Sequence, residues 1–369
     1  MDPLTHTLFA AVAATTPQAQ RTPLAAAALI LGANLPDVDA FLYFAGFATP
    51  DRALAFRRGW THGLPAMLVW PLVLAAILLL WRRLRPGSQP RASALVGFCC
   101  LGVWSHPCLD WLNTYGMRWL MPFDGTWFYG DAVFIADPWL WLVLGCGFLL
   151  AKRPRVATWV VSLVVAGTLC AWVAARAPRF LPLVLTIAVA ALASLLVPLP
   201  QRARSRTALV ALLLAVLYIG GRIGLQLATE TRVRAELEAR SIGPIERLMV
   251  GPLPISLRTW DVLVETPGDY RFGRFEWGGD GLVLAERTLP SPRALVVSDE
   301  ERVAHQAWEM ARRDPSVAGF VDWARFPWYQ VEQIPDGVRV HLLDARYSRE
   351  VSSGFGGAVV EISADRLDR

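Results

Sequence analysis

ASALVGFCCLGVWSHPCLDWL, residues 92–112, decides the fold class. It contains no Lys, Arg or Glu, and its length suits the roughly 17–25 residues that an α-helix needs to cross a bilayer. Its imidazole and carboxylate, His106 and Asp110, come only near its end. Further apolar runs of spanning length lie at 64–81, 156–175, 180–197 and 207–228. The run 138–151 is shorter, but Trp139 and Trp141 open it and Lys152-Arg153-Pro154-Arg155 close it, which makes it a sixth expected span. Runs 4–14 and 24–35 are too short to cross singly and suit a helical hairpin that dips in and returns.

The whole composition agrees. Of 369 residues, 54% are hydrophobic and only 18% charged, against about 25% charged in soluble domains. A disordered, collagenous or disulfide-framed chain is excluded, and the composition argues against a wholly soluble one. The five cysteines all lie in or at the end of apolar runs. The N-terminus lacks the positive region of a signal peptide and is expected to be retained.

Charge divides the chain. Residues 1–229 carry 18 basic and 8 acidic side chains with no Glu, whereas 230–369 carry 18 basic and 23 acidic. The basic residues of the first part sit in short loops between apolar runs, a topology signal and not a nucleic-acid footprint. Ten of them, in the loops at 82–91, 152–155 and 202–206, face six on the opposite side: Arg52, Arg57, Arg58, Arg118, Arg176 and Arg179. The positive-inside rule puts the ten in the cytoplasm and the C-terminal part outside.

Beyond a polar helical stalk at 229–240, the pattern turns to short β-like runs. Residues 258–265 and 270–277 flank Pro267-Gly268-Asp269, a hairpin turn. Residues 300–313 read as an amphipathic helix ended by Asp314-Pro315, and 328–333, 338–347 and 358–362 as strands. The expected architecture is an α-helical polytopic membrane domain (about six spans plus the hairpin) over 1–229. A smaller soluble α+β domain follows over 230–369.

Three of the five histidines, His6, His62 and His106, lie where apolar runs begin or end. His106 and Asp110 are i,i+4 and share a helix face if the helix survives Pro107. Asp37 and Asp39 are i,i+2, which suits a loop where carboxylates converge from irregular backbone. The expected topology brings His6, Asp37, Asp39, His62, His106 and Asp110 to one membrane boundary within residues 1–137. Imidazole and carboxylate ligands suit one or two divalent ions, Zn²⁺ first and Mn²⁺ or Fe next. Carboxylates and histidines are costly near hydrocarbon, and their concentration here favours a site over scattered interface residues. Arg58 has the planar fork that holds an oxyanion. Asp37 or Asp110 could act as a base, and Asp137 and Tyr115 could orient ligands. His305 and His341 have ordinary surface or core roles, and the C-terminal tryptophans are more often core than substrate-binding.

The stretches Leu4-Thr5-His6, Gly32-Ala33-Asn34-Leu35-Pro36-Asp37-Val38-Asp39 and Arg58-Gly59-Trp60-Thr61-His62 carry a resemblance. With them go Ser105-His106, Leu109-Asp110, Thr114-Tyr115-Gly116, Pro122-Phe123 and Asp137-Pro138. At these residues the chain resembles the YdjM-like family of membrane-bound metal-dependent hydrolases. Gly63 stands where the family often has Ser. The resemblance implies a metal-dependent hydrolase in a bacterial inner membrane.

The function expected from all this is hydrolysis of an ester, foremost a phosphoester of a lipid or lipid-linked substrate, by metal-activated water. Bilayer lipid is the expected partner, and nucleic acid is not. The alternative is a non-enzymatic membrane protein that binds divalent metal for transport or sensing. No polar stripe runs inward from the site through the later spans, which counts against transport. A scaffold serving mainly its C-terminal domain is a third reading. The absence of a nucleotide-binding glycine loop and of a G-x-S-x-G elbow argues against ATP-driven and serine-hydrolase mechanisms.

Overall fold

The computed structural model describes residues 1–40, 50–152, 181–196, 200–294, 296, 298–351 and 356–367. The chain forms two compact units. The first comprises Met1–Asp37 and Thr61–Gly224, and the second Val38–Trp60 and Leu225–Arg369.

The first unit is helical. Its elements are α1 (Pro3–Ala13), α2 (Pro17–Arg21), α3 (Ala25–Asn34), α5 (Leu64–Arg83), α6 (Ala92–Trp111), α7 (Pro138–Ala151) and α8 (Leu181–Leu196). The second unit begins in the chain with α4 (Pro50–Phe56), and α9 (Gln201–Ala239) contributes residues to both. Pro is used at helix starts, where no amide is needed, in α1, α5 and α7. The hairpin expected at the N-terminus is α1 and α3.

Among the described residues, Leu64–Arg83, Ala92–Trp111 and Arg206–Ala239 are long and apolar enough to cross a membrane. The remaining three of the six expected spans are not established. The run 156–175 lies outside the described residues. Helix α8 is described over Leu181–Leu196. Helix α7 has 14 residues, a rise of about 21 Å against about 30 Å of hydrocarbon. Leu68, Val69, Leu72, Ile77 and Leu80 on α5 are exposed, as are Leu213, Leu214, Val216 and Leu217 on α9. Rows of this kind suit lipid and not water.

Close packing of α3 on α6 positions the chemistry. A Cβ on Gly102 would fall 2.8 Å from the Leu29 carbonyl oxygen and 3.0 Å from that of Ala28. One on Gly32 would fall 3.1 Å from the Val103 amide nitrogen. The two backbones therefore approach through small residues, the usual route to tight helix contact in membranes. Ala28, Leu95 and Cys99, with Leu74, Ala75 and Leu78 of α5, fill the space beside this crossing. Pro107 does not break α6.

The second unit is sheet-rich. Strands β1 (Arg247–Pro252), β2 (Thr259–Glu265), β3 (Asp269–Glu276) and β4 (Gly281–Pro290) form an antiparallel meander. The register Glu265↔Tyr270 closes the hairpin at the expected Pro-Gly-Asp turn. Then come α10 (Asp299–Ala311), α11 (Ala318–Trp323) and the antiparallel sheet β5 (Pro327–Ile334), β6 (Gly337–Asp344) and β7 (Gly357–Ser363). A short α12 (Ala364–Leu367) ends the described chain. Ser298 and Glu301 form a capping box at the start of α10.

Val233 and Leu237 of α9 pack with Trp260, Val262 and Phe275 of the meander, while Leu263, Tyr270 and Phe272 pack with Phe326, Trp328 and Leu343. Trp260, Trp308, Trp323 and Trp328 are all buried. They are core residues, as their apolar bulk favours.

Candidate metal centre

Helix α6 supplies two groups one turn apart. His106 Nε2 lies 3.5 Å from Asp110 Oδ2, so the helix face anticipated from the i,i+4 spacing forms. The tight turn Leu35–Asp37 follows α3 directly. Because α3 is pressed against α6, it brings Asp37 Oδ1 to 3.6 Å from His106 Nε2. His62, just before α5, places Nε2 at 3.1 Å from His106 Nε2, 3.5 Å from Asp110 Oδ2 and 3.9 Å from Asp37 Oδ1. One ligand atom from each of Asp37, His62, His106 and Asp110 lies within 4.8 Å of all the others.

These spacings fit a small cation. Four N or O ligands about 2.0–2.1 Å from a tetrahedral ion stand about 3.3–3.4 Å apart. The outer contacts suit ligation too. His106 Nδ1 lies 2.6 Å from the Ala33 carbonyl oxygen. A carbonyl only accepts, so the His106 proton sits on Nδ1 and Nε2 presents its lone pair to the other three groups. His62 Nδ1 lies 2.8 Å from Thr61 Oγ1, which orients the second ring.

His6 is next to this group. Its Nε2 is 3.2 Å from Asp110 Oδ1, and its ring stacks on that of His106 with centroids 3.8 Å apart. The amino group of Met1 also donates to Asp110 Oδ1. Asp2 caps α1, accepting from the Thr5 amide at 3.1 Å. The indole of Trp141 donates to Thr5 Oγ1 at 3.0 Å, tying α7 to the helix that carries His6.

Of the six ligands anticipated, four converge, and His6 adjoins them through Asp110. Asp39 and Arg58 fall in the second unit, both buried, where the Arg58 amide donates to Asp39 Oδ2 at 3.2 Å. Asp137 caps α7, accepting from the Trp139 and Leu140 amides and from the Tyr218 hydroxyl. Tyr115 is buried with its ring edge against Trp127. Thr61 and the Ala33 carbonyl were not foreseen. Thr61 was legible as the neighbour of His62, but a backbone carbonyl leaves no trace in residue identity.

The burial differs across the group. The side chains of His62, His106 and Asp110 are 0–1% exposed, while that of Asp37 is 20% exposed.

A curated relative, "Uncharacterized protein YfhP" of Bacillus subtilis (strain 168), is 22% identical over 344 residues, 92% of this chain and 81% of its own length. No solved structure matches the chain. Residues 1–178 match the family described as YdjM inner membrane protein. Over residues 1–178, therefore, the chain carries the match of the YdjM inner membrane protein family, the family that its His and Asp motifs resemble.

Proposed function

We propose that this chain is a membrane-bound, metal-dependent hydrolase that cleaves an ester, foremost a phosphoester of a lipid or lipid-linked substrate, at the outer leaflet. The observation that carries the reading is the convergence of two imidazole nitrogens and two carboxylate oxygens within 4.8 Å of one another at the end of a helix long and apolar enough to cross a membrane. Asp37, His62, His106 and Asp110 would hold the ion, and their donor set suits Zn²⁺ first. A divalent cation held there supplies Lewis acidity and lowers the pKa of water toward about 7.

The chain's own residues do the rest. The Ala33 carbonyl and Thr61 keep the two rings aimed inward. His6 holds the outer oxygen of Asp110 so that the inner one faces the group. Asp37 is the most exposed member and contributes Oδ1 to the group. On that exposure we assign Asp37 the base role toward attacking water. Arg58 is our candidate for holding a substrate oxyanion, on the strength of its planar fork and its place shortly before His62.

The detergent-purified full chain is expected to carry about one or two equivalents of a transition metal by elemental analysis. It should hydrolyse phosphodiester or phosphomonoester lipids in mixed micelles, lose that activity on chelation and regain it with Zn²⁺ or Mn²⁺. A metal-loaded chain inert on all such substrates would return the reading to non-enzymatic metal binding, and a chain that takes up no metal would end it.

The same reading puts the C-terminal unit outside the cytoplasm. An alkaline phosphatase fusion after residue 369 should be active and a green fluorescent protein fusion dark. The reverse pattern would move the site to the cytoplasmic face.

A further inference from the structure

The loop that follows α6 belongs to the first unit and is rooted beside the metal group. The Gly130 amide donates to the Trp111 carbonyl at 2.8 Å and the Ala132 amide to that of Leu112 at 2.9 Å, just beyond Asp110. The Leu64 amide, at the start of α5 and shortly after His62, donates to the Trp119 carbonyl at 2.9 Å. Met117 and Phe128 pair in both directions, at 2.9 and 2.8 Å, and close the loop on itself. Its root is buried: Tyr115, Met117 and Arg118 lie inside the protein, and the Arg118 guanidinium covers the Trp127 ring at 4.8 Å. Beyond the Met117–Phe128 bridge a turn holds the tip. There the Phe123 amide donates to the Leu120 carbonyl, and Asp124 Oδ1 accepts from the Thr126 amide and hydroxyl.

That tip is apolar and faces outward. Phe123 is 86% exposed, and Leu120 and Phe128 are exposed as well. Between Trp119 and Tyr129 the only charged residue is Asp124. Through the contact of Trp119 with Leu64, the exposed surface continues into Leu64 and Leu68, at the head of the row on α5 that suits lipid. Single exposed apolar side chains are ordinary, but a held tip continuous with such a row forms a larger patch that calls for a partner. Trp119, Trp127 and Tyr129 within the loop are the residue types that favour the headgroup level of a bilayer. We propose that residues 117–128 form an interfacial loop, with Leu120 and Phe123 inserted among the lipids of the leaflet on the side of the metal group.

The lipid contact stands apart from the metal reading, while its bearing on substrate rests on that reading. The loop's backbone is bonded next to Asp110 and next to His62, so an inserted tip keeps lipid headgroups at the boundary where the metal group lies. A lipid ester then reaches the group without leaving its leaflet. The occupant is the membrane's own lipid, because the patch begins on a helix long and apolar enough to cross the bilayer.

The test is photo-crosslinking of the full chain in nanodiscs of phosphatidylethanolamine and phosphatidylglycerol. The photoreactive p-benzoylphenylalanine replaces Phe123 in one variant and Leu120 in a second, and intact-mass analysis reads the product. Irradiation is expected to add the mass of a phospholipid at both positions, as at Leu72, exposed on the α5 row. The same group at Asp299, 94% exposed at the charged start of α10, should add none. Lipid adducts at Leu72 but not at Phe123 or Leu120 would overturn the proposal. So would products at the loop that join two copies, or two parts of this chain, in place of lipid. Equal labelling at Asp299 would also overturn it, by showing that lipid contact does not distinguish the loop. The cross-link needs no metal. A chain that adds lipid at Phe123 yet takes up no metal would overturn the hydrolase reading and the loop's bearing on substrate, and would leave the interfacial loop standing.

Discussion

His106→Ala is expected to abolish metal binding and hydrolysis while the protein still inserts in the membrane. His106 Nε2 is close to all three other members of the group: His62 at 3.1 Å, Asp110 at 3.5 Å and Asp37 at 3.6 Å. Its removal therefore takes away a proposed ligand and the centre of the arrangement. The loss of affinity should exceed the roughly 10–100-fold that an outer-shell substitution costs. Stability offers an independent readout. Saturating metal at about 100 times Kd stabilises a binding-competent chain by about 2.7 kcal/mol, and the variant should gain nothing from the same metal. Full activity in His106→Ala, or an unchanged metal-induced rise in unfolding temperature, would remove His106 from the site.

Gly102→Ala should be nearly as harmful, although it touches no ligand. The added methyl would meet the carbonyl oxygens of Leu29 and Ala28 at 2.8 and 3.0 Å. These are backbone atoms of a packed helix, and they yield only if α3 moves away from α6. Overpacking of this kind costs about 1–3 kcal/mol. The same movement stretches the 2.6 Å contact from Ala33 to His106 and carries Asp37 away with the end of α3. Metal affinity should fall by about 10–100-fold. Gly97, on the same helix, has nothing within 4 Å of its Cβ position, so Gly97→Ala is the matched control. It should leave metal binding unchanged, and helix propensity favours it by up to about 1 kcal/mol. Equal behaviour of the two variants would show that the crossing of α3 and α6 does not govern the site.

Much of the second unit was legible because turn chemistry and alternation are local. Pro267-Gly268-Asp269 marked the hairpin, and Asp314-Pro315 marked the end of α10. Strands β1 and β4 were not separately recognised. Val283 and Leu289 share a parity in β4, yet Val283 is exposed and Leu289 buried, with a polar stretch between them, so its alternation is irregular. The register shift between Arg271 and Gly273 in its partner has the same origin, since a bulge changes which face a residue meets.

For the metal group, residue type and local spacing named all four members before any contact was known. Placing His106 and Asp110 on one face needed only helical periodicity, and α6 keeps it through Pro107. Sorting the remaining candidates needed three dimensions. Asp37 and Asp39 are almost adjacent, yet one enters the group and the other accepts from Arg58 in the second unit. No local pattern distinguishes them.

The sequence by itself determined that the chain enters a membrane, that its later part is a separate sheet-rich unit, and that imidazoles and carboxylates gather near its start. Each of these follows from hydrophobic length, periodicity or composition, which act over a few neighbouring residues. Only the tertiary structure decided which ligands meet, which ring nitrogen is held by a carbonyl, and which unit takes the segment between Asp37 and His62. Those outcomes depend on where helices touch. That is set by small residues such as Gly32 and Gly102, whose effect is to let distant backbones approach.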